Sequence, residues 1–98
     1  MESKKIWKKT SWFERKLKDL EKEKKYSSLQ FEMDVKEFLL DEKKSKFRKH
    51  SIRISKTKKV FAIILWYDLR ALYFFVRIKE DGIIEYVFFV IWGHDAVY

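Results

Sequence analysis

Apolar residues recur along this chain in two rhythms, and the change from one to the other divides it. From Phe13 to Leu39 they stand three or four apart between charged residues, the spacing of helices that bury one face. Phe13, Leu17 and Leu20 form one stripe; Phe31, Val35, Phe38 and Leu39 form a second. Ser11 before Trp12-Phe13-Glu14 has the form of a capping box, a hydroxyl for a helix N–H and an acid three residues on. Ser27 or Ser28 starts the second helix after a turn around Tyr26, so an αα-hairpin is predicted.

Beyond Leu40 the rhythm is lost. Lys58 to Tyr67, Arg70 to Lys79 and Ile83 to Trp92 are runs rich in Ile, Val, Phe, Tyr and Trp, whose length and β-branched or aromatic content predict strands. Glu80-Asp81-Gly82 supplies a hairpin turn with a glycine free to take positive φ, and Tyr67-Asp68-Leu69 a tight connection. Lys5 to Lys9 reads as a short first strand. The expected fold is α+β: an N-terminal αα-hairpin on a mainly antiparallel sheet of three C-terminal meander strands, with the N-terminal strand added at one edge. The strand runs are almost continuously apolar, so both sheet faces need cover. The αα-hairpin covers one, and a partner chain is expected on the other.

At 98 residues the chain has room for one core, so residues 1–98 are read as a single domain. An aromatic fraction of 18 % excludes a disordered chain. The absence of cysteine excludes a disulfide frame and a thiolate metal site and fits a reducing compartment. No apolar stretch follows the first five residues, so a secretory signal is not expected. Val60 to Val76 carries Asp68 and Arg70 in its middle, which argues against a membrane span. A cytoplasmic protein is expected.

Charge changes the picture more. The net charge of +8 favours a polyanionic partner. Nine Lys/Arg residues and no acid lie between Lys43 and Lys59, which makes that segment the candidate contact with RNA phosphates. The cations assigned to it are Lys46, Arg48, Lys49, Arg53, Lys56, Lys58 and Lys59. No base stacking is assigned to Trp66 or Phe75, whose rings are read as core or partner-covered surface. The chain has no P-loop, no Gly-rich dinucleotide turn, no HExxH and no recognisable Ser-His-Asp signal. What remains is a set of polar residues at the edges of the apolar runs: His50, Asp68, Arg70, His94, Asp95 and Tyr98.

His50-Ser51-Ile52, Asp68-Leu69-Arg70-Ala71-Leu72-Tyr73 and Trp92-Gly93-His94-Asp95-Ala96-Val97-Tyr98 follow one another in an order that resembles the RelE/ParE superfamily of toxin–antitoxin systems. The resemblance implies a toxin held by a cognate antitoxin. RelE-, YoeB- and YafQ-like members cleave messenger RNA on the ribosome without metal or cofactor. The ribose 2′-hydroxyl attacks the adjacent phosphorus, which calls for a base, an acid and a cation on the phosphate. By this resemblance Arg70 holds the scissile phosphate and His94 is the general acid or base. Asp68 and His50 orient or share proton transfer, and Tyr98 stacks on a base or helps activate the 2′-hydroxyl. One departure is that Val60 to Trp66 is apolar where several active members carry catalytic lysines or a second histidine. The alternatives are therefore a ParE-like toxin that poisons gyrase by contact without cutting RNA, and a degenerate, non-catalytic binding homologue.

Overall fold

The computed structural model describes residues 4–53, 59–65, 69–78 and 82–93. Strand β1 (Lys4–Lys9) leads into helix α1 (Ser11–Lys22) and helix α2 (Ser28–Leu40). A 3-10 turn (Ser45–Phe47) follows, then strands β2 (His50–Arg53), β3 (Lys59–Ile64), β4 (Arg70–Ile78) and β5 (Ile83–Trp92). The strands form one mixed sheet in the order β1-β5-β4-β3-β2, with β1 parallel to β5 and every other pair antiparallel. The predicted α+β class, meander and added first strand are all present. No helix is long and apolar enough to cross a membrane among the described residues.

The helices start where hydroxyls cap them. Thr10, extended at ψ 163°, accepts the N–H of Phe13 through Oγ1, so the cap lies one residue before the expected Ser11. Ser11 is instead the first helical residue, and Glu14 sets its negative charge in the first turn, where the helix dipole favours it. Ser27 caps α2 by accepting the N–H of Gln30 at 3.0 Å. Between the helices the chain closes a Schellman turn: Lys25 N–H reaches Leu20 O, and Lys24 N–H reaches Glu21 O. Lys24 occupies the left-handed position of that turn, with φ 57°. Glu21 then accepts the N–H of Ser28 at 2.8 Å, a bond that holds its carboxyl below the ordinary range. Gly82 takes φ 65°, as the hairpin turn was expected to need.

The helical layer covers one sheet face. Phe13, Leu17, Phe31, Val35 and Phe38 from the helices meet Ile63, Ala71, Tyr73, Tyr86, Phe88 and Ile91 from the sheet, all buried. Phe88 is the common neighbour, with its ring against Trp7, Phe13, Phe31 and Tyr73 at centroid distances of 6.4, 6.0, 5.3 and 5.3 Å. The α2 stripe also carries a buried acid that the pattern gave no reason to expect. Asp34 accepts hydrogen bonds from the Tyr26 hydroxyl and from Gln30 Nε2 at 2.9 Å, which satisfies it inside the core. Burial, reinforced by Asp34, pushes the Tyr26 hydroxyl pKa well up, so it remains a donor.

The register assigns the opposite face. Tyr73 pairs with Phe88 and Leu72 with Val90, so Phe89 is the extra residue of a β-bulge. Its ring lies 5.6 Å from that of Phe74, on the side away from the helices. On that face lie Ile6, Val60, Ala62, Ile64, Leu72, Phe74, Val76, Val87 and Val90; no helix among the described residues packs there, yet Val60, Ala62 and Val87 are buried. Alternation of side chains across a strand makes this assignment.

Lys24 is a β-carbon residue in a left-handed position, which costs about 1 kcal/mol relative to glycine. Lys24→Gly is expected to stabilise the fold by about that amount, read as a higher urea midpoint at unchanged m-value.

Candidate functional site

A cleft of about 480 Å³ opens beside the edge strand β2, lined by Glu42, Lys43, Lys44, Ser45, Arg48, Lys49, His50, Ser51 and Phe61. Local chemistry builds it. Helix α2 stops at Leu40, and Asp41 gathers the chain by accepting the N–H groups of Lys43 on Oδ1 and Lys44 on its carbonyl. The Phe47 ring is buried edge-on against Phe38 at 5.2 Å, anchoring the 3-10 turn to the core. Arg48 then adopts the left-handed conformation with φ 43°, and this turns the chain into β2.

That turn aims the Arg48 carbonyl at His50. His50 Nδ1 lies 3.0 Å from Arg48 O. A carbonyl oxygen can only accept, so Nδ1 carries the hydrogen and donates it. In the neutral ring the lone pair is therefore on Nε2, the nitrogen available for proton transfer. His50 is exposed, so Nε2 is accessible to a ligand in the cleft.

The cations around it are less free than the sequence implies. Glu37 of α2 accepts from Lys44 at 2.7 Å and from Lys46 at 2.6 Å. Glu42 accepts from Lys5 at 2.7 Å, from Lys49 at 3.0 Å and from the Tyr86 hydroxyl. Burial alone would raise the Glu42 pKa. The hydrogen bonds from Lys5, Tyr86 and Lys49 outweigh it, and the carboxyl sits below its ordinary range. The Lys44 and Lys46 bonds likewise lower Glu37, and Glu37 in turn raises Lys44. Lys43 and Arg48 are exposed and have no acidic partner among the described residues.

The residues singled out from sequence fall in three places. His50, Arg48 and Lys49 line the cleft, and Lys46 stands on the adjoining turn, tied to Glu37. Arg53 ends β2 in register with Lys59, which is exposed at the start of β3. Arg70 opens β4, half-buried, in one row with Ile64 and Trp92. His50 is in register with Ala62, and Ala62 with Leu72, so His50 and Arg70 belong to the same sheet face. Strand spacing and rise set their Cα atoms about 12 Å apart. Asp68, His94, Tyr98, Lys56 and Lys58 lie outside the described residues. Just before His94, a β-carbon on Gly93 would meet Leu69 Cδ2 at 3.3 Å, a close approach of the β5 end to the residue before Arg70.

Sequence reasoning missed Glu42, which joins β1, β5 and the cleft segment through Lys5, Tyr86 and Lys49. It stands one residue before the acid-free run, and nothing in its spacing signals three partners.

Glu42 is ionised more readily in the folded chain than in the unfolded one. Its stabilisation is therefore full above about pH 4.5, the ordinary value, and is lost as pH falls through the lower folded value. Glu42→Gln is expected to destabilise by about 2 kcal/mol at pH 7, with the gap from wild type closing below pH 4.5 in thermal melts. A gap constant from pH 7 to 3 would exclude the carboxylate as its source. No protein-family model, curated protein or solved structure matches the chain.

Proposed function

We propose that this chain is a RelE/ParE-type toxin that cleaves messenger RNA on the ribosome without a metal ion. The observation that carries the reading is His50: a histidine whose Nδ1–H is held by a backbone carbonyl, with Nε2 free in a cleft bearing Lys43, Arg48 and Lys49. Nε2 takes the proton of the ribose 2′-hydroxyl as that oxygen attacks phosphorus. The bond from phosphorus to the 5′-oxygen breaks, and the leaving oxygen takes a proton from a second group, a role assigned to His94. The products are a 2′,3′-cyclic phosphate and a free 5′-hydroxyl. Arg70 holds the phosphate oxygens through its planar, permanently charged fork. Asp68 orients this set, and Tyr98 stacks beside it.

The apolar sheet face away from the helices is the surface assigned to the antitoxin, whose acidic residues would meet the cations at its rim. Action on ribosomes implies the cytoplasm.

One observation favours the ParE-like alternative. On the face shared with Arg70, β3 contributes Val60, Ala62 and Ile64, none of which can move a proton. In that reading the chain poisons gyrase by contact, and the cleft is a docking surface.

After induction, His50→Ala is expected to lower mRNA cleavage by roughly 10²- to 10⁴-fold, the usual contribution of a general base. Arg70→Ala and His94→Ala should likewise relieve growth arrest, all three retaining antitoxin binding. Primer extension on cellular mRNA is the measurement. Undiminished cuts in all three variants would remove this site, whereas absent cuts with lost supercoiling activity would select the gyrase reading.

A further inference from the structure

Four rings on the helix-side face form a connected set that runs from the core to solvent. Tyr73, fully buried, stacks on Phe61 at 5.4 Å and 21°, and Phe61 stacks on Phe75 at 5.8 Å and 21°. Tyr86 completes the set, 5.5 Å from Tyr73 and 6.1 Å from Phe75. The helical layer covers the Tyr73 end but leaves Phe75 40 % exposed. The uncovered end adjoins the basic cleft, because Phe61 lines both. Lys49 Nζ lies 5.0 Å over the Phe61 ring, and Ser51, exposed, is in register beside it. Lys59, exposed, stands two residues before Phe61 on the same side of β3.

We propose that Phe75, backed by Phe61, is a stacking shelf for a base of single-stranded RNA, with Lys43, Arg48 and Lys59 holding the flanking phosphates. This deepens the RNA reading above and rests on it for the ligand class. The exposed Phe75 ring, with Phe61 stacked behind it, offers a π face that any base can cover, and cations at the rim track a backbone. An apolar peptide would use the rings and leave the cations idle; a single strand of RNA uses both. The acid-bound lysines do not weaken the case, since Lys43, Arg48 and Lys59 form no ion pair among the described residues. The shelf lies on the opposite sheet face from Arg70, so it grips a neighbouring nucleotide and not the scissile phosphate.

The test is fluorescence anisotropy of the full chain with a labelled 2′-O-methyl oligoadenylate, which 2′-hydroxyl attack cannot cleave, and with its abasic counterpart. The intact strand is expected to bind about 10-fold tighter than the abasic one. Phe75→Ala and Phe75→Leu should both erase that difference while leaving abasic binding unchanged, and Phe75→Trp should restore it. Lys43→Ala and Arg48→Ala should weaken both strands alike and flatten the salt dependence. Equal binding of the two strands by wild type, or full oligoadenylate affinity in Phe75→Ala, overturns the shelf. Base-dependent binding without mRNA cuts in induced cells keeps the shelf and removes the nuclease. Cuts that need His50, with base-independent binding, remove the shelf alone. No binding of either strand at low salt overturns the shelf.

Discussion

One ring and one carbonyl of Phe88 fix how the two layers meet. The side chain is fully buried among Trp7, Phe13, Phe31 and Tyr73, while the carbonyl accepts the N–H of Thr10 at 3.0 Å. Burying a phenylalanine contributes about 2–3 kcal/mol, and the edge-on ring pairs add to it. Thr10 is also the cap of α1, so the same residue that starts the helix is hydrogen-bonded to the sheet. The direction of α1 follows, and with it the part of the sheet that the helices cover. The bulge immediately after Phe88 then places Phe89 and Val90 together on the other face.

The division of the sheet sets the chemistry available on each side. Toward the helices it is aromatic, and where the helical cover ends the rings come to the surface beside cations. Away from the helices it is mostly aliphatic, with the Phe74 and Phe89 rings in contact there, and His50 and Arg70 belong to its polar positions. The cleft sits at the β2 edge between these two environments. It owes its shape to two short-range facts, the left-handed Arg48 and the anchored Phe47, and neither depends on the sheet being long or regular.

Much of the fold was legible because apolar patterning is a direct record of burial. Phe31, Val35 and Phe38 recur at helical spacing and all face the sheet, and the three C-terminal runs became strands within a residue or two of the described ends. Strand β2 was not legible: His-Ser-Ile-Arg has no apolar run, and it pairs because β3 offers an open edge. The cap falls on Thr10 and not on Ser11; both carry hydroxyls, and only backbone geometry separates them. Of the site, His50 and its neighbouring cations were visible as residue types, but their electrostatic state was not. The acids that restrain them, Glu37 and Glu42, precede the basic run in sequence and return to it only in the folded chain. A continuous run of apolar residues likewise cannot say which ring the helices leave uncovered, and so Phe75 reads equally as core or as partner-covered surface.

The ion pairs of Glu37 and Glu42 give the basic segment counterions of its own. A polyanion approaching Lys44, Lys46 or Lys49 must displace a tethered carboxylate and not only a dissolved salt ion. Such a competitor is always present at high local concentration, and dilution of the salt does not remove it. The segment is therefore less adhesive toward arbitrary nucleic acid than a charge of +8 implies. Selectivity falls to the few cations left unrestrained, whose positions are set by the fold.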